Sequence, residues 1–154
     1  MARFEDRFAI AHPPAAVFDF FSVTRNHEKM SAGQLGLSFI TAPERFEQGS
    51  RLEFKIQGLG QIQTAVHEII EFERPHRYLE LQVKGPMKAW RHEHLFLEEG
   101  NQTIVIDRIE FEPPGGLLGL LATESRILES LEEGIYSRNL TLQRLLGGGT
   151  GNVP

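Results

Sequence analysis

The sequence predicts an α+β domain in which a curved antiparallel sheet of about six to seven strands wraps around a long C-terminal helix. Three observations lead to this fold class: an alternating segment at the start, a series of strand-like segments up to residue 112, and helical spacing from residue 118 onwards. Turns of hairpin length imply antiparallel pairing. Because such a sheet hides one face, the last helix is the element that must cover it.

The first strand and a short helix are predicted from residues 3–21. The side chains that alternate with charged ones in the strand are Phe4, Asp6, Phe8 and Ile10. Pro13 and Pro14 end this strand, and proline is accepted in a first helical turn. Residues 15–21 then carry Val17, Phe18 and Phe21 at helical spacing. The polar segment 26–36 is compatible with either irregular or helical structure.

The middle of the chain predicts a series of strands separated by glycine-containing turns. Leu37, Phe39 and Phe46 are assigned to a second strand. The turns contain glycines at 49, 58, 60, 85 and 100. The remaining strands are predicted at 51–56, 61–72, 77–84, 87–98 and 102–112.

The last part of the chain predicts one long amphipathic helix over residues 118–146. Leucines and isoleucines recur there at steps of three and four residues, with charged residues mainly between them. Gly147 is placed to cap this helix. We expect residues 1–147 to form a single domain and residues 148–154, which are rich in glycine, to form a disordered tail.

Composition excludes several functional classes. The formal net charge is −5, which disfavours binding to nucleic acid. The chain has no cysteine, so disulfides and thiolate chemistry are excluded. The first eight residues lack the apolar segment of a secretory signal, and no apolar run reaches the roughly 20 residues that span a bilayer. We therefore expect a cytoplasmic protein without stable membrane insertion.

One strand is predicted to present polar side chains to the interior. Trp90, His92, His94 and Phe96 share a face of strand 87–98, and the hairpin at Gly100 places Asp107 on the same face. The neighbouring strand 77–84 has two possible registers. Either Glu80 and Gln82 face inwards, or the row of Leu79, Leu81 and Val83 does, depending on whether the turn at Gly85-Pro86 has an odd or an even number of residues.

Three interpretations of the inward histidines remain open. With Asp107 they could bind a metal ion. They could instead form a hydrogen-bonded polar belt, which we favour because a third metal ligand is not assured; we accordingly expect no bound metal or cofactor. In the third interpretation His92 or His94, assisted by Asp107, acts as a general base. No nucleophile or oxyanion motif accompanies them.

Arg138 is predicted to lie beside the buried stripe of the last helix. It is interpreted either as a cation for a ligand carboxylate or carbonyl, or as the partner of Asp107 or Glu80 in a structural ion pair. We expect Trp90 and Arg138 to line one cavity from opposite walls. Two further aromatic residues are candidate ligand contacts: Tyr136 through its hydroxyl, and Phe54 as both core and cavity wall. The other four histidines, at positions 12, 27, 67 and 76, are predicted to be surface residues.

Three segments resemble uncharacterised ligand-binding members of the START-like (SRPBCC) superfamily. Residues 82–96, QVKGPMKAWRHEHLF, resemble the family pattern Q-x-x-G-P-F-x-x-W-x-H-x-H-x-F, with Met87 in place of its phenylalanine. Thr103 to Asp107, with Pro113, Gly116 and Gly119, looks like T-x-x-x-D followed by P-x-G-x-L-G. Residues 135–139, IYSRN, are similar to F-x-Y-R-N. The likeness covers residues 3–146.

The resemblance implies a helix-grip fold with an internal hydrophobic cavity, and relatives that include lipid carriers, polyketide cyclases and pollen allergens. We therefore expect the protein to bind a small hydrophobic or amphipathic molecule between the sheet and the C-terminal helix. The alternative is an enzyme of the cyclase or dehydratase type, because one fold supports many functions. A third hypothesis is an interaction protein that uses an apolar lid of Leu117, Leu118, Leu120 and Leu121 together with the outer face of the sheet. A homodimer is expected if the row of Leu79, Leu81 and Val83 faces outwards, because a partner should then cover that row.

Overall fold

A computed structural model describes residues 1–58 and 61–147 and shows seven strands and four helices in a single layer of sheet with helices packed on it. The strands are β1 (Ala2–Ile10), β2 (Ser38–Thr41), β3 (Arg51–Gly58), β4 (Gln61–Glu73), β5 (Arg77–Lys84), β6 (Ala89–Glu99) and β7 (Gln102–Glu112). The helices are α1 (Pro14–Ser22), α2 (Thr24–Ser31), α3 (Gly116–Leu121) and α4 (Glu124–Leu146). The predicted fold class is confirmed.

All seven strands form one antiparallel sheet in the order β1-β7-β6-β5-β4-β3-β2. From β2 to β7, each strand pairs with the next one along the chain. Strand β1 lies at one edge of the sheet, beside β7. In β1, Phe4, Asp6 and Phe8 face the helices while the charged residues between them are exposed. The alternation in the sequence thus reports correctly which face of this strand is covered.

Two apolar clusters fill the space between the sheet and the helices. The larger cluster gathers α1 and α2 onto the middle strands, and in it Phe18 packs edge-on against Phe72, Tyr78 and Phe96. The smaller cluster joins β7 to α4 through Ile109, Phe111, Ile127 and Leu131. A cavity lies between the two clusters, since residues from both contribute to its walls.

The register of β5 settles the alternative that the sequence left open. Glu80 pairs with His92 and Tyr78 with His94, so Glu80 and Gln82 share the inward face of the histidines. The row of Leu79, Leu81 and Val83 faces outwards. Leu79 is nevertheless only 2% exposed within the single chain, and Val83 at 49% is the one member of this row that is largely open. The row therefore gives little support to the predicted homodimer, which remains a prediction.

The long helix predicted over residues 118–146 is wrong as a continuous element. The chain leaves helical geometry at Ala122 and Thr123, and α4 begins at Glu124. Thr123 is in an extended conformation, and its hydroxyl accepts a hydrogen bond from the backbone amide of Arg126 at 3.4 Å. Threonine is a good helix N-cap, so the local sequence contained the signal for this interruption.

Other boundaries differ by a few residues. Phe46 lies outside β2, which ends at Thr41, but it is buried in the larger cluster. The sixth strand begins at Ala89 rather than Met87, because Gln82 holds residue 87 in a turn by bonding both its backbone amide and its carbonyl. Gly147 caps α4 in a right-handed helical conformation, so this cap does not need the left-handed conformation that glycine allows. The predicted tail at 148–154 lies outside the described residues.

No helix among residues 1–58 and 61–147 is long and apolar enough to cross a membrane.

The N-cap of α4 can be tested by replacing Thr123. We expect Thr123→Ala to lower the free energy of unfolding by about 1 kcal/mol, because the first turn of α4 loses its side-chain acceptor. Thr123→Ser keeps the hydroxyl and should stay within a few tenths of a kcal/mol of the parent protein. Urea unfolding followed by circular dichroism measures both. Equal stability of the alanine and serine variants would contradict this account of the interruption.

Candidate functional site

A cavity of about 180 Å³ lies between the sheet and helix α4. Its walls are mostly apolar and come from every layer of the fold. Phe54, Ala65 and Trp90 contribute from the sheet, and Leu118, Ile127 and Leu131 contribute from the helices. The cavity predicted between sheet and helix is therefore present.

The sheet wall of the cavity carries a cluster of four polar side chains on three adjacent strands. His67 lies on β4, Glu80 on β5, and His92 and His94 on β6; all four are buried and line the cavity. We call these four residues the polar wall. The Nδ1 atom of His67 donates to Oε1 of Glu80 at 2.8 Å, while Nε2 of His94 lies 3.5 Å from Oε2 of the same carboxylate. The rings of His92 and His94 stack with centroids 3.7 Å apart.

Asp107 lies behind the polar wall and connects it to helix α4. Its Oδ1 atom accepts a hydrogen bond from Nε2 of His92 at 2.8 Å and another from Nη1 of Arg138 at 2.9 Å. The second oxygen, Oδ2, accepts from Nη2 of Arg138 at 2.6 Å. This two-point ion pair is fully enclosed, with the carboxylate 0% and the guanidinium 3% exposed. Arg138 is thus a structural partner of Asp107, the second of the two interpretations of this residue.

The same network continues to the edge strand. Nη2 of Arg138 donates to Oδ1 of Asn139 at 2.7 Å, and Nδ2 of Asn139 donates to Asp6 at 2.8 Å. Asp6 on β1 is the cross-strand neighbour of Asp107 on β7. Two adjacent carboxylates therefore share one guanidinium, directly or through Asn139, and α4 is tied to two strands at once.

The two carboxyl groups of the site are held in their ionised form. Burial alone raises the pKa of Asp107, but the Arg138 charge, the hydrogen bond from His92 and the nearby His94 outweigh it, and the pKa lies well below its usual range. Burial likewise raises the pKa of Glu80, and the hydrogen bond from His67 together with the nearby His94 reverses the effect, so its pKa is also well below the usual range.

The stacked histidines have pKa values that are shifted in opposite directions. Burial, reinforced by the neighbouring His94, lowers the pKa of His92 to about 4, so this ring is neutral at pH 7. Burial also acts against a charge on His94, but the Asp107 and Glu80 carboxylates on either side outweigh it, and its pKa is raised. Because Asp107 accepts from Nε2 of His92, Nδ1 is the nitrogen of the neutral ring that holds a lone pair.

The structure brings most of the sequence-predicted site residues together. Trp90, His92, His94, Phe54 and Arg138 all line the cavity, with Trp90 on the sheet and Arg138 on α4. The expectation that Trp90 and Arg138 would face one cavity from opposite walls is confirmed in position. Phe96 and Asp107 also point inwards, but they lie in the core behind the cavity surface.

The expectation for Tyr136 is wrong. This side chain is 65% exposed and lies on the outer side of α4, because the inward stripe of the helix runs through Ile135, Arg138 and Leu142. Being next to Ile135 in sequence places Tyr136 about 100° away around the helix.

Two histidines that were predicted to lie on the surface also belong to the site. His67 is buried on β4 against Glu80, and His27 on α2 lines the cavity with its Nδ1 atom 3.0 Å from the carbonyl of Phe21. Burial and the nearby His94 lower the pKa of His27 to about 4. His27 lies in a polar segment of the sequence, and that pattern concealed its partial burial. Strand alternation with the inward Ala65 and Ile69 would have placed His67 correctly.

Helix α3 forms one edge of the cavity. Leu118 lines the cavity, whereas Leu117, Leu120 and Leu121 are exposed, Leu117 to 84%. The four leucines therefore divide between the cavity wall and an exposed apolar surface beside it. Their predicted role as a lid remains a prediction.

No protein-family model and no curated protein matches the sequence. Among solved structures, the chain is similar to the Mycobacterium smegmatis protein Ms6760, with a TM-score of 0.70 and 15% identity over 95% of this chain and 91% of that chain. It is also similar to Ara h 8.0201, with a TM-score of 0.66 and 9% identity over 96% and 98% of the two chains. Major latex-like protein 151 of Panax ginseng gives a TM-score of 0.62 and 15% identity over 90% and 95%.

Identities of this size establish the fold alone. The chain has a START-like helix-grip fold. The helix-grip architecture that the resemblance implied is therefore confirmed, with its seven-stranded sheet and long C-terminal helix.

The buried ion pair of the helix-grip core can be compared directly with an exposed pair of the same geometry. We expect Arg138→Leu to lower the free energy of unfolding by roughly 3–5 kcal/mol, because Asp107 is left buried without its cation. Arg74→Leu removes an exposed two-point pair with Asp19 and should cost much less, because solvent screens the two charges. Urea unfolding at pH 7 measures both. Similar costs for the two variants would show that Arg138 is not the main partner of Asp107.

The depressed pKa of His92 predicts acid sensitivity. In the unfolded chain this histidine takes up a proton near its ordinary pKa of 6.5, whereas the folded protein resists protonation until about pH 4. Its contribution to stability is therefore present above pH 6.5 and is lost as the pH falls towards 4. We expect about 1.5 kcal/mol to be lost through this group between pH 6.5 and pH 5. Urea unfolding at the two pH values should show a smaller difference for His92→Gln, and an unchanged difference would contradict the prediction.

Proposed function

We propose that this protein binds a small, largely apolar molecule with one polar group in the cavity between its sheet and helix α4. The observation that carries the proposal is the distribution of polarity inside the cavity. Phenylalanine, leucine, isoleucine and tryptophan side chains form most of the wall, and the polar wall of His67, Glu80, His92 and His94 occupies one part of it. An apolar enclosure with a few converging polar groups is the usual form of a ligand site.

The size of the cavity limits the ligand. A volume of about 180 Å³ is far smaller than a sterol or a long acyl chain requires. An engineered cavity of about 150 Å³ is large enough to bind benzene. A monocyclic aromatic molecule with a short substituent is therefore the class that fits the enclosed volume best.

The charge balance of the site favours a neutral polar group on the ligand. The cation expected to attract an acidic ligand, Arg138, is already paired with Asp107. The remaining carboxylate, Glu80, is itself negatively charged and accepts a hydrogen bond from His67. An acidic ligand would thus add an uncompensated buried charge, whereas a hydroxyl group can donate to the free Nδ1 of His92 at no such cost.

The alternative of a general-base enzyme has less support. His92 and Asp107 form a hydrogen-bonded pair at the cavity, as a base and its orienting carboxylate would. With a pKa of about 4, however, His92 is a weak base at neutral pH. Binding is therefore the function that the geometry favours.

Trp90 provides the direct test, because it is the single tryptophan of the chain and lines the cavity. We expect its fluorescence to change saturably when 4-alkylphenols are added at pH 7 in the presence of EDTA. The matching 4-alkylbenzoates should bind at least tenfold more weakly. Native mass spectrometry of the same samples should show one bound molecule per chain. No binding of phenols, alkylbenzoates or medium-chain alcohols would refute the proposal.

Filling the cavity should abolish this binding. Ala65→Leu adds apolar volume on the inward face of β4, and we expect it to weaken phenol binding by at least tenfold. The matched control is Ala9→Leu, the same change on the exposed face of β1. Ser130→Leu, on the α4 side of the cavity, provides a second variant in case the first disturbs folding. Unchanged affinity in folded Ala65→Leu and Ser130→Leu proteins would place the ligand elsewhere.

A further inference from the structure

The polar wall contains three side chains whose ligand atoms converge on one point. We propose that Glu80, His92 and His94 bind one divalent transition-metal ion at the sheet side of the cavity. This proposal is independent of the organic ligand, because metal binding is measured without it. It also departs from the sequence-based preference for a purely hydrogen-bonded belt, which rested on the lack of an assured third ligand. The register of β5 supplies that ligand as Glu80.

The spacing of the three donors suits a metal centre. One ligand atom from each residue lies within 4.8 Å of the other two. Nε2 of His94 and Oε2 of Glu80 are 3.5 Å apart. In a tetrahedral site with bonds of about 2.05 Å, two ligand atoms are separated by about 3.3 Å. These two donors are therefore almost in place. The His92 ligand atom lies within 4.8 Å of both, and its ring, which is stacked on His94, must turn to complete the set.

The surrounding hydrogen bonds orient the donors as outer-shell partners do in metal centres. Asp107 accepts from Nε2 of His92 at 2.8 Å, which leaves Nδ1 for the ion. His67 donates to Oε1 of Glu80 at 2.8 Å, which leaves Oε2. Carboxylate–histidine pairs of this kind fix the ring tautomer and increase the basicity of the ligand nitrogen. In both His92 and Glu80, the atom that would not bind the metal ion is thus already hydrogen-bonded.

His94 provides an independent observation. It is 2% exposed, yet within the described part of the chain neither of its ring nitrogens has a hydrogen-bond partner of acceptable geometry. Its nearest acceptors, on Asp107 and Glu80, are at 3.4 and 3.5 Å. Buried polar atoms without partners are rare and call for a specific explanation. A metal ion bound to Nε2 would give that nitrogen a partner, and Nδ1 would keep its place 3.4 Å from Oδ1 of Asp107.

The donor set indicates the kind of ion. Two imidazoles and one carboxylate suit Zn²⁺ or Fe²⁺ better than Mg²⁺ or Ca²⁺, which prefer oxygen ligands. All three residues line the cavity. The open coordination positions therefore face the cavity, where water or an oxygen atom of a bound molecule completes the shell.

Cobalt provides a spectroscopic test that needs no activity and no organic ligand. EDTA-treated protein, freed of chelator, is titrated with Co²⁺. We expect visible d–d absorption that saturates at one ion per chain and disappears when Zn²⁺ is added. Glu80→Gln and His94→Gln should each weaken binding at least 100-fold. His67→Gln, which removes only the hydrogen bond to Glu80, should weaken it 10- to 100-fold.

The control is His76→Gln, which removes an exposed histidine from the loop before β5 and should leave the titration unchanged. Near-ultraviolet circular dichroism establishes that each variant is folded. Absence of cobalt absorption in the parent protein would overturn the proposal, as would equal binding by folded Glu80→Gln and His94→Gln proteins. Neither result affects the phenol binding measured in EDTA, so the two proposals fail separately.

Discussion

The ion pair between Arg138 and Asp107 determines both where helix α4 lies and what charge the cavity wall carries. Asp107 is wholly buried on β7, and burial of an unpaired carboxylate costs several kcal/mol. Arg138 removes that cost only if α4 places it directly over the strand. Asn139, the next residue on the helix, extends the contact to Asp6 on β1. The helix is therefore fixed in rotation and in position along its axis by polar contacts that apolar packing alone does not define.

The same ion pair controls the histidines on the neighbouring strand. Once Arg138 has neutralised it, Asp107 can accept from His92 without drawing a proton onto that ring. Burial and the neighbouring His94 lower the pKa of His92 to about 4, whereas Asp107 and Glu80 outweigh burial at His94 and raise its pKa. Two histidines that lie two residues apart on one strand thus have pKa values shifted in opposite directions.

The sequence predicted the fold because most of its elements are local. Alternation at β1, β3 and β7 indicated the buried face correctly, and the helical spacing after residue 123 indicated α4. The inward positions of Trp90, His92, His94 and Asp107 followed from strand periodicity and from the parity of one hairpin. The part of the site that depends on periodicity alone was therefore available from the sequence.

What remained beyond prediction depends on long-range packing. The inward position of Glu80 requires the register of β5 against β6, which local sequence at Gly85-Pro86 does not specify. His27 approaches the cavity because α2 packs against α1 and α4, although its own segment is polar. Tyr136 faces outwards because each helical residue adds a rotation of about 100°, which separates it from the inward Ile135.

Stability alone does not explain the polar wall, and this points to a role for it. A buried ionic cluster is often no more stabilising than apolar residues of equal volume, and His94 retains unsatisfied nitrogens. Folded sequences tend to violate packing rules where a site is built. Without a metal ion, the ionised Glu80 is the charged acceptor of this wall, which favours an uncharged donor group on the ligand. A divalent ion bound there adds positive charge. The same cavity would then accept an anionic oxygen. Whether Glu80, His92 and His94 bind a metal ion would therefore decide which class of small molecule the cavity can hold.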